Sequence, residues 1–134
     1  MSNGDIRRST CPPIAVVDDD QAVRAALANL LDSAGYLTCS FAAAEDFLAS
    51  DCLHQAACAI LDVKLQGMSG FELKERLNVL QSSLPVIFIS AQGGEMDRQR
   101  ATRLGAVAFL SKPIDADSLL AQVRSVITNC GEPD

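Results

Sequence analysis

The sequence predicts an α/β protein with a doubly wound, five-stranded parallel sheet of (βα)5 type, strand order 2-1-3-4-5, and helices on both faces. The first observation behind this prediction is that short apolar runs of strand length alternate five times with segments of helical spacing. Such alternation indicates a parallel sheet covered by helices. The second is that right-handed crossovers favour a doubly wound arrangement, for which 2-1-3-4-5 is a common order of five strands.

The predicted strands are short, and several are rich in β-branched or aromatic residues, which favour the extended conformation. They are 14–17 (IAVV), 36–41 (YLTCSF), 57–61 (ACAIL), 85–89 (PVIFI) and 106–110 (AVAFL). Each run has the length of a strand that is buried on both faces. None approaches the length of a membrane-spanning helix.

Helical spacing fills the intervals between the strands. The first helix presents an apolar stripe that runs to Ala34 and is closed by Gly35, a typical residue for a helix C-terminus. The segment 43–50 predicts a short helix at best. The third helix opens with Ser69 and Glu72, which have the spacing of a capping box.

The two remaining helices differ in how well they are anchored. The segment 94–104 has few apolar residues and three arginines, so it is predicted to be the most weakly packed helix. The last helix carries a continuous apolar stripe and begins at Asp115, which is placed to cap it. Asp20 is placed to start the first helix in the same way.

Composition excludes several classes of function. The formal net charge is −6 and no run of lysines and arginines is present, so direct nucleic-acid contact by this domain is not expected. The five cysteines are odd in number and lack CxxC spacing, which favours reduced thiols and a cytoplasmic location. We expect a flexible lead-in at 1–12, one domain at 13–129 and a tail at 130–134, with no membrane segment.

Polar residues collect where the predicted strands end. Asp18 and Asp19 follow the first strand, Asp62 the third, Ser90 ends the fourth, and Lys112 follows the fifth. In a doubly wound sheet the ligand site lies beyond the carboxyl ends of the strands, where the strand order reverses. The sequence therefore predicts three carboxylates, a hydroxyl and an ammonium on one edge.

This set of groups is suited to Mg²⁺ and a phosphoryl group. Mg²⁺ prefers one or two carboxylates together with phosphate oxygens, and Mn²⁺ is an alternative ion. A lysine can bear part of the phosphoryl charge, and a serine hydroxyl can donate to a phosphoryl oxygen. A carboxylate beside a metal can itself be the nucleophile, which would give an aspartyl-phosphate. Taken singly, each aspartate after the first strand is also a normal helix cap.

Four motifs stand in the order and spacing of a known family: VVDDD, LDVKLQGMSG, FISA and GAVAFLSKP. Over about residues 13–128, the chain resembles the receiver domain of two-component response regulators. This family has a CheY-like, flavodoxin-like fold. The resemblance implies that Asp62 is the phosphoacceptor. It implies that Asp18, Asp19, Asp62 and the backbone carbonyl of Lys64 bind Mg²⁺. It also implies catalytic roles for Lys112 and Ser90, a switch formed by Ser90 and Phe109, and a cis Lys112–Pro113 bond.

The same resemblance implies the partners. A sensor histidine kinase would donate the phosphoryl group. The readout face would be helix 4, strand 5 and helix 5 of the (βα)5 order (α4-β5-α5, about 94–128), which controls an output domain or a downstream protein. A homodimer formed on phosphorylation is left open, as are the cognate kinase, the phosphoryl lifetime and attachment to a DNA-binding domain. Gln66, where the family commonly has proline, is a departure that predicts a looser loop after Asp62.

Two other readings belong to different classes. A Mg²⁺-dependent phosphohydrolase that forms an aspartyl-phosphate would use a DxD motif after the first strand, a spacing that Asp18 and Asp20 provide, but the chain has no room for a cap domain. A flavodoxin-like cofactor carrier would need a phosphate-binding loop rich in serine, threonine and glycine at that point. We therefore expect a signalling switch and not a turnover enzyme.

Overall fold

A computed structural model describes residues 12–127. Five parallel strands form one sheet in the order β2-β1-β3-β4-β5, as predicted. The strands are β1 (Ile14–Val17), β2 (Thr38–Phe41), β3 (Cys58–Asp62), β4 (Val86–Ser90) and β5 (Ala108–Ser111). The predicted lead-in before Pro12, the tail at 130–134 and the last two residues of the predicted domain, 128 and 129, lie outside the described residues.

Within residues 12–127, six helices cover the sheet, one more than the (βα)5 prediction. They are α1 (Gln21–Ser33), α2 (Ala44–Leu48), α3 (Cys52–Gln55), α4 (Gly70–Val79), α5 (Glu95–Arg103) and α6 (Ala116–Val126). The second crossover contains two short helices, α2 and α3, where the sequence predicted one. The predicted readout face is therefore formed by α5, β5 and α6. Within residues 12–127, no helix is both long and apolar enough to cross a membrane.

The hydrophobic core lies on both faces of the sheet because successive strand residues point to opposite sides. Ile14, Val16 and Ile60 pack with the apolar faces of α1 and α6. Residues of the opposite parity, such as Val17 and Leu61, pack with the helices from α2 to α5. All four residues of β1 are fully buried, as expected for the central strand of a doubly wound sheet.

The helix ends confirm the predicted caps. The Asp20 carboxylate accepts a hydrogen bond from the N–H of Ala22 at 2.9 Å, and Asp115 caps α6 in the same manner. Ser69 and Glu72 form a reciprocal capping box at the start of α4. These pairs are local in sequence, which is why the sequence alone identifies them.

Two strands begin two residues later than the sequence predicted, whereas β3 and β4 begin one residue later. The predicted strand 36–41 starts at Thr38, because the N–H of Tyr36 donates to the carbonyl of Leu31 and so completes the end of α1. The predicted strand 106–110 starts at Ala108, because Ala106 closes α5 in the same way. In both cases a glycine with positive φ precedes the misassigned residue, the arrangement of a Schellman cap.

Candidate functional site

The carboxyl edge of the sheet brings together the side chains that the sequence predicted there. Strands β1, β3, β4 and β5 are consecutive neighbours, so the residues that end or follow them lie side by side. Asp18 follows β1, Asp62 and Ser90 are the last residues of β3 and β4, and Lys112 follows β5 after Ser111. Asp18, Asp62 and Ser90 are all buried, and burial of a carboxylate is unusual unless it is paired.

Asp18 is fully buried and is held on three sides. Its Oδ1 accepts a hydrogen bond from the N–H of Asp20 at 2.9 Å. The guanidinium of Arg24 donates to the backbone carbonyl of Asp18 at 2.7 Å, which fixes the start of α1 against the end of β1. The Oδ2 atom lies 3.0 Å from Lys112 Nζ. That oxygen nevertheless accepts no well-oriented hydrogen bond from any residue that the structure describes.

Asp62 lies beside Asp18 and is 5% exposed. Its Oδ1 accepts a hydrogen bond from the N–H of Lys64 at 3.3 Å, and its Oδ2 lies 3.4 Å from Lys112 Nζ. Burial and the negative charge of Asp18 raise the pKa of the Asp62 carboxyl to about 6, and Lys112 offsets only part of that effect. At neutral pH, Asp62 is therefore mostly ionised.

Lys112 supplies the positive charge of the site. Burial by itself lowers the pKa of a lysine, but the carboxylates of Asp18 and Asp62 outweigh it and raise the pKa of Lys112. The backbone N–H of Lys112 donates to the carbonyl of Ser90 at 2.8 Å, which ties the end of β5 to the end of β4. The Lys112–Pro113 peptide bond is cis, as the resemblance predicted.

The three acidic residues fit a divalent cation. One carboxylate oxygen from each of Asp18, Asp19 and Asp62 lies within 4.8 Å of the others. Asp19 is exposed and opens the cluster to solvent. The buried Oδ2 of Asp18, which lacks a hydrogen bond, is a group that a cation would satisfy. A role for the carbonyl of Lys64 as a further ligand stays a prediction, although the Lys64 N–H does place this backbone at the cluster.

The predicted switch residues lie next to the site. Ser90 is 2% exposed, and its Oγ accepts a hydrogen bond from the N–H of Gln92 at 3.2 Å. Phe109 lies on β5 opposite Phe88 and is 8% exposed, so its ring lies inward. Ser90 and Phe109 thus lie on two adjacent strands, Ser90 at the end of β4 and Phe109 within β5. Their roles in switching remain predictions.

Sequence reasoning missed several residues that shape the site. A Cβ on Gly70 would lie 2.2 Å from the carbonyl oxygen of Asp62, so only glycine lets α4 start this close to the end of β3. The Glu45 carboxylate accepts the N–H of Met68 at 3.1 Å and so holds the loop after Asp62. Arg24 was not singled out either. The only sequence signal for these three residues was the Ser69–Gly70 pair that opens α4. That pair predicts a helix cap and not the close approach of α4 to the backbone of Asp62.

Comparisons with known proteins agree with this geometry. The family model described as the response regulator receiver domain matches residues 14–124. The transcriptional regulatory protein FixJ of Bradyrhizobium diazoefficiens is 39% identical over 85% of this chain and 56% of its own length. The structure of the response regulator StyR has 38% identity and a TM-score of 0.78, over 88% of this chain and 60% of that one.

A third comparison shows the fold alone. The chemotaxis protein CheY4 of Vibrio cholerae is 24% identical, with a TM-score of 0.79, over 87% of this chain and 98% of that one. The chain spans about half the length of the curated relatives it matches, so what those relatives do as whole proteins does not transfer directly.

Proposed function

The chain belongs to the response regulator receiver domain family, and on that premise we propose that Asp62 accepts a phosphoryl group from the phosphohistidine of a sensor histidine kinase. The phosphorylated domain then acts as a signalling switch, whose output is carried by α5, β5 and α6. The observation that carries this proposal is the contact of the buried Asp62 carboxylate with Lys112 at 3.4 Å, beside the second carboxylate of Asp18. The phosphohydrolase reading is not favoured, because the family match accounts for the same acidic residues.

The residues of the site suit phosphoryl transfer. An oxygen of the Asp62 carboxylate forms a bond to phosphorus as the P–N bond to the kinase histidine breaks. The electron pair of that bond leaves with the imidazole, which takes up a proton from solvent. The ammonium of Lys112 and the hydroxyl of Ser90 offset the charge on the phosphoryl oxygens, which is the main task of a protein in this reaction.

The electrostatics of Asp62 match this role. Its pKa of about 6 leaves the carboxylate ionised, and therefore nucleophilic, at neutral pH. The raised pKa of Lys112 keeps that side chain cationic. Asp18, Asp19, Asp62 and the carbonyl of Lys64 would hold Mg²⁺, with Mn²⁺ as an alternative. The ion would supply positive charge that lets an anionic phosphodonor approach three aspartates.

The wider partners follow from the relatives only as proposals. FixJ and TdiR are named transcriptional regulatory proteins, which supports an output domain or a downstream protein as the recipient of the signal. We propose that this recipient binds the face formed by α5, β5 and α6. We also propose that this domain does not contact nucleic acid directly. Action in the cytoplasm and a homodimer formed on phosphorylation belong to the same proposal.

Incubation with Mg²⁺ and acetyl phosphate, followed by intact mass measurement, tests the proposal. We expect a gain of about 80 Da, the mass of one phosphoryl group, which is lost in Asp62→Ala. Asp51→Ala is the matched control, because Asp51 is exposed and its side chain makes no capping hydrogen bond. A gain that persists in Asp62→Ala, or no gain in the unaltered chain, would overturn the assignment. Steady phosphate release from small monoesters would instead favour the hydrolase.

A further inference from the structure

The ring of Phe109 occupies the space that a side chain at position 93 would need. A Cβ placed on Gly93 would lie 2.3 Å from Cε1 and 2.4 Å from Cζ of Phe109. Both distances are far shorter than a carbon–carbon contact allows. The same Cβ would lie 3.5 Å from the Cβ of Ser90, so Gly93 sits between the two residues of the proposed switch. The inward position of the ring thus depends on the absence of a side chain at 93.

Gly93 is needed for space and not for backbone conformation. The described glycines with positive φ are Gly35, Gly67 and Gly105, and Gly93 is not among them. An alanine could therefore adopt the backbone of residue 93 without strain. The next residue, Gly94, is the N-cap of α5, and a Cβ there would meet no atom within 4 Å, so Gly94→Ala provides the comparison for the position of the ring and not for the stability of the helix.

The ring is also attached to helix α5. The guanidinium carbon of Arg98 lies 5.1 Å from the centroid of the Phe109 ring, and Arg98 Nη1 donates to the backbone carbonyl of Phe109 at 3.3 Å. Ala101 is the one buried residue of α5, so the helix has few other attachments to the sheet. A change in the position of the Phe109 ring would therefore release the cation–π contact with Arg98, whereas the hydrogen bond to the backbone carbonyl would remain.

We propose that Gly93 is the positioning residue of the switch: it admits the Phe109 ring to its inward position, and Arg98 transmits that position to α5. The balance between inward and outward states is then set by the loop after β4 as well as by Ser90. This inference rests on the proposed function, since it specifies the regulation of the same Ser90–Phe109 switch. It predicts that a single methyl group at 93 drives the ring outward and loosens α5.

Fluorine NMR on the full chain labelled with 4-fluorophenylalanine reads the ring directly. The chain has five phenylalanines, and Phe109→Leu identifies the resonance of interest. We expect that resonance to be protected from solvent in the unaltered chain and in Gly94→Ala, and to shift to a solvent-exposed position in Gly93→Ala. Hydrogen exchange of the amides in 95–103 should rise about threefold in Gly93→Ala, the scale expected when the cation–π contact between Arg98 and the ring is lost.

A double-variant cycle keeps the test decisive if Gly93→Ala unfolds easily. Phe109→Ala removes the two ring atoms that clash, so adding Gly93→Ala to it should leave the urea midpoint unchanged. An equal midpoint loss with and without the ring would overturn the proposal, as would an unshifted Phe109 resonance in Gly93→Ala. The Asp62-dependent mass gain is measured on the same samples. If the mass gain is present and the Phe109 resonance is unshifted in Gly93→Ala, this inference alone is refuted. If the mass gain is absent in the unaltered chain, the proposed function is refuted.

Discussion

Replacement of Asp62 by asparagine should stabilise the metal-free protein at pH 7.5. Asp62 and Asp18 are two buried carboxylates that share one lysine, which lies 3.4 Å from the first and 3.0 Å from the second. Asp62→Asn removes one of the two negative charges at nearly constant volume. Lys112 keeps its shorter contact with Asp18. The substitution therefore removes repulsion and desolvation without leaving the lysine unpaired.

The magnitude follows from the pKa of Asp62. Its rise from 3.8 to about 6 in the folded state means that the ionised form is disfavoured by folding. A rise of about two units corresponds to about 3 kcal/mol as an upper limit. Because solvent reaches part of this cluster through the exposed Asp19, the expected gain in unfolding free energy is smaller, about 1–2 kcal/mol.

The sign of the pH dependence is fixed by the direction of the shift. Below about pH 3, Asp62 is neutral in both the folded and the unfolded chain, and asparagine offers no advantage. Between about pH 4 and 6 the unfolded chain releases the proton first, so the unaltered protein loses stability as pH rises. The advantage of Asp62→Asn should thus grow over that window and level off above pH 7.

Urea unfolding in EDTA, compared at pH 5, 6 and 7.5, measures this gain. Asp51→Asn is the control, since it removes the same charge from an exposed site. Saturating Mg²⁺ should stabilise the unaltered chain more than Asp62→Asn and so reduce or reverse the difference. A lower unfolding free energy for Asp62→Asn at pH 7.5 in EDTA would refute the reasoning, because the carboxylate would then be a net stabilising group.

Three further changes test other parts of the structure. Lys112→Met removes the cation that contacts both carboxylates, and should slow mass gain from acetyl phosphate at least tenfold, roughly the scale for loss of one charge-stabilising group. Gly70→Ala puts a Cβ against the backbone oxygen of Asp62, which cannot rotate away, so urea unfolding should show a loss above about 2 kcal/mol, unlike Gly94→Ala. Ser69→Ala removes the cap of α4 and should cost about 1 kcal/mol, seen as a lower thermal midpoint.

The sequence predicted what depends on local pattern and on topology. The caps at Asp20, Ser69 and Asp115 are each made within three residues, so the residue types alone identify them. The convergence of Asp18 and Asp62 was predictable because parallel strands end at one edge, whatever the details of packing. The apolar pattern wrongly predicted that Tyr36 and Ala106 lie in strands. A residue that completes a helix cap can be as apolar as one that begins a strand, so the pattern does not distinguish the two.

Contacts between distant residues were beyond the sequence. The three arginines of 94–104 predicted a weakly packed helix, but nothing in the pattern shows that Arg100 pairs with Glu75 at 3.1 Å and lies over the Phe71 ring. The role proposed for Gly93 is still harder to predict from the sequence, because it depends on the absence of a side chain at that position. A sequence pattern shows which residues are apolar or charged. It does not show that the space beside Gly93 is filled by the ring of Phe109 from β5.

The arrangement of β4 and β5 explains how a chemical event at Asp62 can reach α5. Ser90 and Lys112, the two groups proposed to contact the phosphoryl oxygens, are joined by the hydrogen bond from the Lys112 N–H to the Ser90 carbonyl at 2.8 Å. Phe109 lies on β5, three residues before Lys112, and Gly93 lies three residues after Ser90. A shift of either strand end therefore changes the distance between the ring and the loop that admits it. Since Arg98 contacts that ring, the weakly anchored α5 would respond first.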